Sequence, residues 1–140
     1  MADTSEIDAA VMAKLSGDAT LLGLMTNGVF WDVGSTGATK FVIVSYAAAG
    51  EVAYTMPHTA WESLVYLVKA TEQGTSGTNV KAAAKRIREL LHDAVITPTG
   101  YYPSLLVRYV QPVRYTEIDE QTDQRWQHRG GHYHVMACPK

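Results

Sequence analysis

The sequence predicts an α+β fold: a mostly antiparallel sheet with one long amphipathic helix packed on it, and further helices at the N-terminus. Three observations carry that reading. The run Leu64-Val65-Tyr66-Leu67-Val68 is continuous, apolar and rich in β-formers, which reads as a central strand covered on both faces. After the small-residue stretch EQGTSGTN the period changes, and Val80, Ala83, Ala84, Ile87, Leu90, Leu91 and Ala94 recur at three- and four-residue steps. That is the single apolar stripe of a helix lying on a sheet, with Lys81, Lys85 and Arg88 on the other side. Finally, the order along the chain is helix, helix, strands, helix, strands, as in a layer of helices over a sheet.

Each element has its local reason. Residues 3 to 16 read as a helix: Asp3, Thr4 and Ser5 offer caps, Glu6 suits the first turn, and Ile7, Ala10, Val11 and Leu15 form the stripe. Gly17 stops it and Asp18 caps a short second helix, Ala19 to Met25, which presents Leu21, Leu22 and Leu24. Asn27-Gly28 turns the chain into a first strand, Val29-Phe30-Trp31. The loop Asp32 to Lys40 contains GSTG, but a phosphate loop needs a lysine after its last glycine and then a helix. Here Lys40 opens a strand, Phe41 to Tyr46, so the stretch reads as a flexible loop. The small residues Ala47 to Gly50 suit a bulge, a turn or a close backbone approach, Glu51 to Met56 either extends the strand or starts the next, and Pro57 breaks it.

The helix over Val80 to Ala94 takes Thr78 or Asn79 as its cap. Thr97-Pro98-Thr99-Gly100 and Tyr101-Tyr102-Pro103 form a loop. Leu105 to Tyr115 alternates as a strand, with Leu105, Val107 and Tyr109 on one face and Leu106, Arg108 and Val110 on the other. Pro112 marks an edge or a bulge. Thr116 to Asp123 holds Glu117, Asp119, Glu120 and Asp123 with no base, and reads as a hairpin tip. Trp126 to Ala137 is a last strand, interrupted by Gly130-Gly131.

The 140 residues make one domain, residues 1 to 140, long enough to bury a core without disulfides or metal. Hydrophobic residues make up 46% and the net charge is -2, which points neither to disorder nor to a general nucleic-acid or membrane-surface binder. The single cysteine, Cys138, cannot make an internal disulfide. The polar, acidic start MADTSEIDAA is unlike a secretory signal, and no apolar run nears the roughly 20 residues of a membrane span. The expectation is a soluble protein made in a cytoplasm, without a membrane partner.

Candidate chemistry is sparse. His132 and His134 lie two apart on a strand and so share a face, with His128 nearby, and such a set could hold Zn²⁺ if a carboxylate completed it. An exposed strand face carrying histidines is the simpler reading. His58 and His92 have no partner visible in sequence, and His92 suits a helix end. Cys138 near the chain end is poorly placed for a nucleophile, and no serine sits in a G-x-S-x-G elbow. The basic face Lys81, Lys85, Arg86 and Arg88 is a solvated helix face diluted by Glu89 and Asp93, or a contact for phosphate or a neighbour's acids. The acidic run is a solvated tip, or a lining that repels DNA and lets it slide.

The pattern as a whole resembles the tail completion or tail terminator proteins of long-tailed bacteriophages and, more loosely, the head-to-tail joining proteins related to them. The resemblance rests on LSGDATLLGLM, NGVFWDV, the strands KFVIVSY and SLVYLVKA, the helix VKAAAKRIRELLHDA, and the closing pair LLVRYVQPVRYTEIDEQTD and RWQHRGGHYHVMA. It is a likeness of hydrophobic order, with no catalytic signature. It implies a structural virion protein without enzymatic activity, metal or cofactor, assembled in the host cytoplasm into the virion. Such proteins form a homohexameric ring on the head-proximal end of the tail tube. The ring stops polymerisation of the tube protein, presents a surface to the head-tail connector or head completion protein, and passes genomic double-stranded DNA through its lumen. A ring needs head-to-tail contacts; Lys81, Lys85, Arg88, Tyr101 and Tyr102 are candidates for them. Glu117, Asp119, Glu120 and Asp123 face either a neighbour or the lumen. A head-side neck protein and a tail-tube subunit are alternatives within the class. A small metal-binding enzyme using His128, His132 and His134 is the alternative outside it.

Overall fold

A computed structural model describes residues 3–55, 58–103 and 106–140, with the backbone alone at 48–55, 58–60 and 106. Pro57 and Leu105 lie outside the described residues, as does the His58 side chain. Among the described residues the chain runs α1 (Thr4–Ser16), α2 (Ala19–Leu24), β1 (Val29–Trp31), β2 (Lys40–Thr55), β3 (His58–Gln73), α3 (Thr78–Leu91), β4 (Leu106–Asp119) and β5 (Gln124–Ala137). The strands form one sheet in the order β1-β2-β3-β5-β4. The β1–β2 pair is parallel and the rest are antiparallel. The fold is α+β, as the sequence predicts.

The N-terminal helices begin where short carboxylates can satisfy free backbone N–H groups. Asp3 Oδ1 accepts from Ser5 N at 3.0 Å, and Asp18 Oδ2 accepts from Leu21 N at 2.9 Å. Ile7, Val11, Leu15 and Leu21 then face inward and are buried. α3 starts differently from expectation. Its N-cap is Gly77 and no side chain caps it. Asn79 is drawn away instead, donating from Nδ2 to Glu72 Oε1 at 3.1 Å, while the Thr78 hydroxyl meets Ser76. The stripe itself holds: Val80, Ala83, Ile87 and Leu91 are buried against the sheet, and Ala94 lies beyond the helix end.

β3 is central, but helices cover one of its faces, not two. Leu64, Tyr66, Val68 and Ala70 are buried under α1 and α3, whereas Val65, Leu67 and Lys69 on the opposite face are half-buried. The apolar run of the sequence comes from a strand whose second face is apolar without a covering layer. At the centre of the covered face the Tyr66 hydroxyl donates to the Asp8 carboxylate, and the Trp31 and Tyr46 rings meet Tyr66 edge-on. Burial, and then the Asp8 carboxylate, hold the Tyr66 phenol protonated well past its usual range.

Two places where the sequence promised irregularity resolve differently. The small residues after Tyr46 form bulges in a strand that continues to Thr55, with register shifts at Tyr46/Ala48, Ala49/Val52 and Ala53/Tyr54. Gly130-Gly131, by contrast, does not interrupt β5. The strand runs through both, and the glycines are there because neighbouring strands press close. A Cβ on Gly130 would stand 2.0 Å from the Val68 carbonyl oxygen.

β4 is an edge strand, and its first part is shielded. Asp93 N donates to Val107 O at 2.8 Å, and Tyr109 N donates to His92 Nδ1 at 3.1 Å. His92 is the C-cap of α3, so the chain end of the helix blocks the strand edge. Beyond a bulge at Tyr109/Gln111 no described strand lies outside β4, and Pro112 removes a donor there. The chain terminus is tied down: Tyr102 N donates to Cys138 O and Lys140 N to Gly100 O, each at 2.9 Å. No helix among the described residues is long and apolar enough to cross a membrane.

Candidate functional site

The helix-free face of the sheet gathers aromatic and titratable side chains. Strand alternation puts Phe41, Ile43, Lys69, Thr71, Tyr115, Trp126 and His128 on it. Many of them line a shallow pocket of about 270 Å³ with the Asp32–Gly34 segment. His128 is buried there, stacked on Tyr115 at 4.3 Å between ring centroids, with Nδ1 3.1 Å from Thr71 Oγ1. Glu117 Oε1 lies 3.0 Å from Nε2, an ion-pair distance, without the alignment of a hydrogen bond. Burial depresses the His128 pKa, and the Lys69 charge pushes it the same way. Glu117 opposes both.

His128, His132 and His134 do share this face, as their spacing predicts, yet they do not converge. His132 Nδ1 pairs with Gln111 at 3.0 Å, His134 pairs with Ser63, and His128 with Thr71. No group of three metal-ligating side chains comes together among the described residues. The even-numbered spacing sets the face, but the strand carries the three rings past different neighbours, so His128, His132 and His134 are each drawn to a separate partner. Cys138 is half-buried, at a paired rather than a loose chain end.

On the opposite, helix-bearing side a groove of about 430 Å³ separates the flank of α3 from the β4–β5 ladder. It is lined by Lys85 and Arg88 from the helix and Arg114 and Arg129 from the strands, over Ala84, Tyr109, Pro112 and Val113. Arg88 lies 4.3 Å over the Tyr109 ring, a cation–π contact. Arg114 and Arg129 are direct cross-strand partners. No acidic residue lines the groove, and none of these four cations makes an ion pair among the described residues. Arg86, on the same helix, points elsewhere and grips Asp18.

The sequence-predicted residues thus divide. Lys85 and Arg88 belong to the groove, and Lys81 is exposed outside it. Tyr101 is buried, and its hydroxyl donates to Glu62 Oε2 at 2.8 Å. It is a core residue of this chain rather than a surface available to a neighbour, because its isolated bridge to Pro139 folds it under the chain end. Tyr102 is 55% exposed, with Lys140 over its ring. Glu117 and Asp119 end β4, and Glu120 and Asp123 form the turn into β5. This tip overhangs the sheet: β3 ends at Gln73↔Trp126, while the hairpin continues through Ile118↔Arg125 and Asp119↔Gln124. Arg114 and Arg129 were missed as site residues. Counting back five residues on each strand from Asp119↔Gln124 arrives at that pair, so a hairpin register read from the turn would have found it.

No protein-family profile and no curated protein matches the sequence. Solved structures do, and 16 chains match. The chain shares its fold with part of a gene transfer agent particle. That structure, the virion of a native gene transfer agent, contains a chain that superposes with a TM-score of 0.69 at 18% identity, covering 94% of each chain. A second solved chain superposes with a TM-score of 0.58 at 14% identity, over 100% of this chain and 97% of its own. At these identities the likeness to the particle protein is one of fold, from the first helix to the last strand.

Proposed function

We propose that this chain is a structural virion protein, a tail terminator or tail completion protein without enzymatic activity. In this reading it forms a homohexameric ring on the head-proximal end of a phage tail tube. The ring stops growth of the tube, joins it to the head connector, and lets genomic DNA pass through its lumen. The observation that carries the reading is the end-to-end fold match to a protein of the gene transfer agent virion. The pattern of the sequence, read independently, resembles the same class. The chemistry agrees: the chain gathers charge into two unlike surface patches, a basic groove and an acidic tip, and contacts between unlike patches are what a ring is built from.

The test is solution mass by light scattering, then negative-stain imaging with the tube protein present. A hexameric ring, or a monomer that becomes a ring at the end of the tube, is the expected result. A chain that instead caps the head-side connector would make it a neck protein. Incorporation along the whole tube would make it a tube subunit. A monomer that ignores all three would overturn the reading.

A further inference from the structure

The groove brings four cations together with no acid among its lining residues. Two arginines directly opposite each other on neighbouring strands repel, and here Lys85 and Arg88 crowd the same space from α3. The chain as a whole carries a net charge of -2, so the concentration is local and leaves an unmatched anion site. Its floor is not polar throughout: Ala84, Pro112 and Val113 give it an apolar lip.

The complementary surface lies on the same chain, out of its own reach. Asp119, Glu120 and Asp123 crowd the hairpin tip, followed in sequence by Arg125, while Glu117 at its base turns to His128 on the helix-free face. Ile118, 53% exposed, stands among them. Backbone and side-chain donors at the turn, Thr122 first and then Gln121, hold the Asp119 carboxyl below its usual range and so keep it charged. From Arg114↔Arg129 to Asp119↔Gln124 the ladder runs straight for five residues, about 17 Å at ~3.3 Å per residue. A tip at the end of an extended ladder cannot fold back into a groove at its base. A neighbour's tip can enter.

We infer that the acidic β4–β5 tip of one copy seats in the basic groove of the next, its carboxylates on Lys85, Arg88, Arg114 and Arg129 and Ile118 on the apolar lip. The inference rests on the ring reading above and names the repeating contact of that ring. Donor and acceptor are different surfaces, so the contact is heterologous. It propagates head to tail and ends only when the ring closes. The charge pairing sets orientation and partner choice.

Three full-length proteins test this: wild type, a groove variant (Arg88→Glu with Arg114→Glu) and a tip variant (Asp119→Lys with Glu120→Lys). Each is assayed for mass by light scattering under the conditions in which wild type forms rings. Each variant alone is expected to stay monomeric. A one-to-one mixture is expected to give rings in which the two variants alternate, because the native tip of the groove variant seats in the native groove of the tip variant and the reversed tip seats in the reversed groove. That outcome also shows both variants to be folded. A chain carrying all four substitutions is expected to regain the ring. Rings formed by the groove variant alone would overturn the contact and leave the ring reading standing. Intact rings combined with lost binding of a 30-base-pair duplex would assign the groove to DNA phosphate instead. Failure of wild type to form a ring, even with tube protein, would sink both ideas together.

Discussion

Arg86 reaches from the middle of α3 to grip both carboxylate oxygens of Asp18, with Nε–Oδ2 at 2.9 Å and Nη2–Oδ1 at 2.7 Å. The same carboxylate caps α2 through Leu21 N. One side chain therefore starts a helix and fastens it to another, in the forked geometry that suits guanidinium and carboxylate.

The Arg86 hydrogen bonds lower the Asp18 pKa from 3.8 to about 2. A depressed carboxylate contributes stability that is complete above its unfolded value and is lost as pH falls through the folded one. The melting temperature of wild type should exceed that of Arg86→Met by a steady margin above pH 4. The margin should shrink between pH 4 and pH 2, as read by circular dichroism melts across that range. A margin that does not change with pH would mean that the pairing is with some other group.

Two glycines should respond in opposite senses to alanine. Gly130→Ala drives a methyl into the Val68 carbonyl oxygen, 2.0 Å away, and into the backbone of Lys69. The cost should be about 3 kcal/mol or more, because backbone cannot step aside as a side chain can. Gly23, in α2, has nothing within 4 Å of its would-be Cβ. Gly23→Ala should stabilise by about 0.5–1 kcal/mol through helix propensity and a stiffer unfolded chain. Urea denaturation at neutral pH measures both.

His128 makes the fold acid-sensitive in a higher window. Burial and then Lys69 depress its pKa below the ordinary 6.5, against the pull of Glu117. Between the folded and unfolded values the unfolded chain binds more protons, so stability is full above pH 6.5 and falls as pH drops below it. Wild type should lose melting temperature from pH 7 to pH 5, and His128→Asn should lose less. Lys69→Met should raise the titration midpoint of the His128 ring, followed by NMR. A midpoint that stays put would assign the shift to burial alone.

Leu64 and Leu67 lie three residues apart on β3 and face opposite ways. Leu64→Ala empties a covered position and should cost about 2–5 kcal/mol. Leu67→Ala, on the helix-free face, should cost under about 2 kcal/mol in the monomer. Equal losses in denaturant titrations would mean that this second face is covered in solution.

Much of the architecture was legible because its causes are local. The caps at Asp3 and Asp18, the stripe from Val80 to Leu91 and the turn at Asn27-Gly28 depend on residues a few positions apart, and all formed where those residues stand. The Gly77 start of α3 escaped because Glu72 competes for Asn79 across the loop, a contest that no propensity describes. The interruption read at Gly130-Gly131 was mistaken for a similar reason, since glycine signals flexibility to a local reading and close approach to a tertiary one.

By itself the sequence determined the elements, their order and which residues share a face, because period and capping are properties of short windows. Tertiary structure alone decided what covers each face. It left one side of β3 without helices, buried Tyr101 under the chain end, sent three histidines of one face to three partners, and set Arg114 and Arg129 beside Lys85 and Arg88. Those outcomes depend on strand order and register, which place residues far apart in sequence within reach of one another. Periodicity states that a side chain must point somewhere, and only the packed fold states at what.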